Sequence, residues 1–270
     1  MSTKKARMSV AVKGTIDTDS AAMQCLLCGA YTPSQKNSFC ISCEAQSNLD
    51  DADDYAVFSK DMGQLYMDSV VGKTEKLDAF ARAKRQQALP AGILYGIGVL
   101  YSNASSYMYY DRDYTRKGFM EENSSNIYSA LSLTSRFKEF MYKALDSLSS
   151  DSRHLESNEY LKFMVNIRLG RMTYARRSLA LIPAADSNAH DYAQMVYHIT
   201  IRSKDSMAYI NKMLDKGVVN ASYYLARHLA QTKRFDEAAT VLQEFTLKWK
   251  SPMASHMLNN LLYFTEKKNG

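Results

Sequence analysis

Proline and glycine are scarce in this 270-residue chain, at four and eleven residues, and strands need such residues at their many turns. An all-β fold or a regularly alternating α/β fold is therefore not expected. Long apolar runs are missing as well. The longest, LPAGILYGIGVLY from Leu89 to Tyr101, contains three glycines and falls well short of the ~20 residues a membrane-spanning helix needs. The opening MSTKKARMSVAVKG lacks the apolar centre of a secretion signal. The expectation is a soluble, cytoplasmic chain without a membrane span.

Catalytic patterns are lacking too. The five histidines, His154, His190, His198, His228 and His256, form no His-Glu-x-x-His or related metal spacing and read as satisfied or exposed helix residues. VVGKTEK, Val70 to Lys76, ends like a phosphate-binding loop, but Met67 stands where its first glycine belongs. The nest of backbone amides that would cradle a phosphate is then missing, and Gly72 reads as a turn between helices. No serine or cysteine stands in a nucleophile elbow, and no carboxylate pair shares a helix face, so no catalytic residue is assigned and an enzyme is not expected.

What the chain does have is apolar material at helical spacing. Hydrophobic residues make up 46%, enough to close a globular core. After residue 54 the spacing is helical almost throughout, and Pro90, Pro183 and Pro252 fall between apolar-periodic segments, where one helix must stop and the next begin. The 19 tyrosines and 15 methionines suit an adaptable core and a contact groove rather than a cofactor box.

All four cysteines stand in one stretch, QCLLCGAYTPSQKNSFCISCEA, Gln24 to Ala45. Cys25 and Cys28 form one Cys-x-x-Cys pair and Cys40 and Cys43 a second. Each pair curls into a knuckle that aims two sulfurs at one point, and four thiolates make the closed tetrahedral shell of a structural zinc ion. Gly29 suits the tight knuckle turn and Pro33 to Asn37 a hairpin loop between the pairs. Two disulfides would require a secreted chain, and a thioredoxin-like redox pair would need no matched second pair. The stretch resembles the small zinc-ribbon family, C-x-x-C-G-x(n)-F-C-x-x-C, through CLLCGA and SFCISC, and departs from it where Glu44 stands in place of a glycine. One structural zinc ion held by Cys25, Cys28, Cys40 and Cys43 is the expected cofactor.

The helical part repeats. Gly-x-Leu-Tyr occurs in MGQLYMDS and IGVLYSNA, and the small residues Ala175, Ala208 and Ala238 recur at intervals of 33 and 30 residues. Such periods belong to stacked helix pairs, where a small residue admits a neighbouring helix closely. The segment from Ala221 to Pro252 resembles a tetratricopeptide repeat, with Leu225, Ala226 and Leu229 at core positions of a first helix and Phe235, Ala238, Leu242 and Phe245 on a second. Glu159 to Pro183, with Gly170 at its turn, is a shorter relative, and His190 to Gly217 a weaker one. The amino-terminal pair is more similar to the Sel1-type repeat. The expected fold is mainly α: a helical-repeat (tetratricopeptide- or Sel1-like) solenoid or bundle carrying a small zinc ribbon. Residues 1–22 form a basic flexible tail, 23–46 the ribbon, 47–54 (SNLDDADD) an acidic linker and 55–270 the helical domain.

Charge is unevenly spread along the chain. Residues 15–54 hold seven acids and one base, whereas residues 158–270 hold sixteen bases and nine acids. Arg168, Arg171, Arg176 and Arg177 cluster around one turn, and Arg202, Lys204, Lys233 and Arg234 lie near the next two. If equivalent turns align, they make a positive strip for an acidic peptide or a phosphate backbone. Ordinary solvation of helix ends is the simpler explanation of the same residues. The tyrosine-rich SNASSYMYYDRDYTRKGF, Ser102 to Phe119, reads as a contact loop or as a packed connection. The expected function is non-enzymatic: a scaffold or assembly subunit that holds a protein partner. The alternative is a nucleic-acid-binding zinc-ribbon protein with Tyr31 or Phe39 stacking on a base, although Lys36 is the ribbon's single basic residue.

Overall fold

The computed structural model describes residues 23–24, 31–32, 65, 68–69, 72–84, 89, 91–110, 124–150, 155–184, 188–218, 220–248, 254, 257–259 and 261–262. These residues are mainly α-helical. In chain order they form strands β1 (Met23–Gln24) and β2 (Tyr31–Thr32), then helices α1 (Glu75–Ala83), α2 (Ala91–Tyr110), α3 (Ser124–Ser150), α4 (Leu155–Arg168) and α5 (Met172–Leu181). Four more follow: α6 (Asn188–Thr200), α7 (Ser206–Asp215), α8 (Asn220–Gln231) and α9 (Phe235–Lys248). No helix among the described residues is long and apolar enough to cross a membrane.

The apolar run at Leu89 to Tyr101 became the buried start of α2. Ile93, Tyr95, Ile97, Leu100, Tyr101 and Ala104 are all at 0% exposure, and a helix that is apolar all round must be enclosed on every side. Its principal neighbour is α3, which buries Leu133, Phe140, Met141, Ala144 and Leu148 as one stripe and leaves Leu131 and Tyr142 in water. Gly98 lets the two helices approach closely: a Cβ there would lie 2.7 Å from Met141 Cε. The first nine residues of the tyrosine-rich stretch, Ser102 to Tyr110, are the last turns of α2, not a loop. Asn103 and Ala104 are buried within it, because α3 is long enough to cover α2 that far. Residues 111–119 lie outside the described residues.

Three shorter hairpins follow, α4–α5, α6–α7 and α8–α9, each packed within itself and against the next. Their turns share one geometry. Gly170, Arg202 and Lys233 take the left-handed conformation (φ +72°, +55° and +62°). At each, the left-handed residue's N–H bonds the carbonyl three residues back, and the next N–H reaches five back, as in Arg171 to Asn166, Ser203 to His198 and Arg234 to Leu229. This double bond satisfies carbonyls that the helix end leaves open. Gly72 and Gly217 close their helices in the same way, so Gly72 is the interhelix turn expected of it. Helix α5 ends at Ile182 in extended backbone (ψ 126°), which Pro183 imposes on the residue before it.

Counted from these turns, the buried positions coincide. The first helices present Tyr160, Phe163 and Ile167, then Tyr192, Met195 and Ile199, then Tyr223, Ala226 and Ala230, of which Ile167, Tyr223 and Ala230 are half-buried and the rest buried. The second helices bury Ala175, Leu179 and Ile182, then Ser206, Ile210 and Met213, then Ala238, Leu242 and Phe245. Spacing of i, i+3, i+7 in the first helices and i, i+4, i+7 in the second puts each set on one helix face, and every large, fully buried apolar member adds about 1.5–3 kcal/mol. The small residue expected in the middle hairpin is therefore Ser206, and Ala208 is exposed. In the middle hairpin the buried small residue comes four residues after the left-handed one, not five as at Ala175 and Ala238, which moves the small position away from the alanine. Ser206 fits there because its Oγ donates to the carbonyls of Ser203 (2.6 Å) and His198 (3.0 Å).

Polar ties fix neighbouring helices. Asp191, held below the usual carboxylate range, is opposed by burial and stabilised by Lys212 and Lys216, whose ammonium groups donate to its two oxygens at 2.7 and 2.5 Å. Asn220 Nδ2 donates to Tyr192 Oη at 2.9 Å, joining α8 to α6.

Candidate interaction surface

The arginines singled out by their sequence clustering do not share one environment. Arg168, at the end of α4, points back to the long hairpin: its Nε donates to Tyr95 Oη at 2.8 Å and its guanidinium lies over the Tyr95 ring, 5.6 Å from the centroid. Burial works against its charge, yet Tyr95, Tyr224 and Tyr192 around it raise its pKa. The residue as a whole is nonetheless exposed, a combination that arises for a cation crowded at its flanks and open above. Arg202 is exposed at the left-handed position of the second turn.

Arg171 and Arg234 occupy the same place, directly after the left-handed residue of the first and third turns. Arg234 is neutralised by Glu237, three residues on, through bonds from Nε (2.7 Å) and Nη2 (2.5 Å). In the first turn the residue three on is Tyr174, and the Arg171 guanidinium stacks on its ring at 4.2 Å. Arg171 also reaches Tyr142 of α3, at 6.0 Å, and Arg177 stands 5.8 Å from the Tyr174 centroid. Both rings are about half exposed, Tyr142 at 48% and Tyr174 at 50%. Arg176 and Arg177 are exposed on the next turn of α5. Among the described residues, no carboxylate pairs with Arg171, Arg176 or Arg177.

Sequence reading missed the tyrosines, although the signal was present: arginine followed at i+3 by tyrosine in one turn and by glutamate in its equivalent. A second feature had no sequence signal. Between α1, α2 and α3 lies a cavity of about 670 Å³. On its wall Tyr101 Oη donates to Asp78 Oδ1 at 2.8 Å, and Arg136 donates to Asp78 and, at 3.3 Å, to Tyr101 Oη. Burial, followed by the Asp78 hydrogen bond, pushes the Tyr101 hydroxyl up to about 12, so it stays protonated and acts as a donor. Its charged groups are largely committed to one another: Asp78 to Arg136, and Glu139 to Lys143 at 2.6 Å.

Cys25, Cys28, Cys40 and Cys43 lie outside the described residues, as do the tail 1–22 and the linker 47–54. Strands β1 and β2 flank the first cysteine pair and run antiparallel, with Met23 opposite Thr32 and Gln24 opposite Tyr31. Among the described residues, no three His, Cys, Asp or Glu side chains gather so as to hold a metal ion. Compared with protein-family models, curated proteins and solved structures, the chain matches none.

Proposed function

We propose that this chain is a non-enzymatic interaction protein in which a body of stacked, tetratricopeptide-like helix hairpins carries a structural zinc module and holds a protein partner. The observation that carries this reading is the recurrence of one left-handed turn through three hairpins, with the second-helix register of the first and third alike and the arginines of the first turn left without carboxylates. Stacked hairpins add surface with each repeat and align equivalent positions along an edge, which suits the capture of an extended segment. The antiparallel pairing on either side of Cys25 and Cys28 supports a knuckle there, and with Cys40 and Cys43 these thiolates would hold one zinc ion that folds the module and does no chemistry on a substrate.

Affinity capture from the native cell by the full chain and by a fragment spanning 55–270, with identification by mass spectrometry, tests the role. The expected result is one partner retained by both. Binding of DNA or RNA in place of any protein, with an affinity that falls steeply between two salt concentrations, replaces this reading with the nucleic-acid one. For the metal, elemental analysis of protein purified under reducing conditions should find one zinc per chain, and Cys40→Ser should release it.

A further inference from the structure

Building on the interaction role just proposed, we infer that the Tyr142–Arg171–Tyr174–Arg177 cluster at the α4–α5 turn is the anchor for an acidic polypeptide segment. The argument is a comparison made inside the molecule. At equivalent turn positions Arg234 is paired bidentately with Glu237, whereas the Arg171 guanidinium sits over the Tyr174 ring. A tyrosine ring holds a guanidinium in place without neutralising it. The Arg171 N–H donors meet no carboxylate among the described residues, and a carboxylate can engage such donors bidentately.

Charge sharpens the point. Arg171 and Arg177 both lie within 6 Å of the one Tyr174 ring, and no carboxylate among the described residues offsets either. Two cations bordering one ring with no acid between them suit a ligand with successive negative groups. Tyrosine and arginine are also the side chains that most often dominate binding energy at protein interfaces.

The same geometry argues against a nucleic acid. Binding of single strands depends on bases stacking against aromatic faces, and here Arg171 covers the Tyr174 face at 4.2 Å while Arg177 crowds the same ring. Guanidinium N–H groups bind carboxylate and phosphate alike, so it is the occupied ring face that disfavours a stacked base.

The test is fluorescence anisotropy of the full-length chain with a labelled poly-glutamate peptide and, in parallel, an oligodeoxythymidylate of equal charge. Wild type should bind the peptide more tightly than the oligonucleotide. The informative variant is Tyr174→Glu, which gives the first turn the ion-pair spacing of the third. It should weaken peptide binding by about tenfold or more and leave the melting temperature unchanged or raised. Arg177→Gln, at an exposed position that closes no core, should weaken binding several-fold and keeps the test decisive should Tyr174→Glu misfold. Peptide binding unchanged in both variants overturns the assignment, and so does tighter oligonucleotide binding lost in both. Poly-glutamate reports on this surface and partner capture on the role, so either can fail while the other stands.

Discussion

The α2–α3 pair and the three hairpins after it are both built from neighbouring helices in contact, but they are held together differently. The first pair makes one long crossing, 20 residues against 27, admitted by Gly98 and tied to α1 by the Tyr101–Asp78–Arg136 triad. The later hairpins are 10 to 14 residues per helix and turn through left-handed residues, the first and third with the same second-helix register. A single long crossing can be tuned residue by residue. A repeated short one works only if each unit presents the same face to the next, so its requirements recur in the sequence.

If that register is real, equivalent deletions should cost alike. Leu179→Ala and Leu242→Ala each remove a nearly buried leucine from the same second-helix position, and each should cost about 2–5 kcal/mol. Chemical denaturation that separates the two by more than a few kcal/mol would break the equivalence of first and third hairpins.

Overpacking gives the next largest effect. Ala238 is fully buried and Ala208 exposed. Ala238→Leu should therefore cost about 1–3 kcal/mol, and Ala208→Leu less than about 0.5 kcal/mol. Equal effects would restore the alanine register that the sequence intervals suggested.

In the long pair, Tyr101→Phe removes a buried hydroxyl that donates to a carboxylate and should cost about 1–2 kcal/mol at neutral pH. Because the folded-state pKa lies above the ordinary tyrosine value, near 12 against 10, the stabilisation is complete below pH 10 and is lost as pH rises toward 12. Wild type and variant should thus converge in stability across that alkaline range. A gap that stays constant with pH would separate the hydroxyl from the triad.

The smallest expected effect isolates the turns. At Gly170 nothing lies within 4 Å of an added Cβ, so Gly170→Ala is penalised only for its left-handed backbone and should cost about 1 kcal/mol. Lys233→Gly should correspondingly stabilise by up to about 1 kcal/mol. Calorimetry finding neither shift would detach these turns from the shared geometry.

Parts of this fold were legible because they depend on local rules. Gly170 and Gly72 marked turns through their tolerance of positive φ, and Pro183 ended α5 through its restriction on Ile182. The middle hairpin was misread because Arg202 takes left-handed backbone that no glycine announces, and its buried small residue, Ser206, follows that turn residue one place sooner than Ala175 and Ala238 follow theirs. The end of α2 was misread because a polar, tyrosine-rich composition resembles a loop until α3 is found covering it.

The sequence by itself determined the mainly helical class, the helix ends marked by Gly72, Gly170 and Pro183, and the arginine enrichment of the first turn, since propensity, capping and charge act within a few residues. The Arg234–Glu237 spacing stands in the sequence, but only the tertiary structure decided what Arg168 and Arg171 meet beyond their own turns. Arg168 is drawn to Tyr95, 73 residues away, Arg234 is neutralised by its own turn, and Arg171 is shared between Tyr174 and Tyr142 of another helix. Whether a charge is paired depends on what packing brings within a few ångströms of it, and distance along the chain does not encode that.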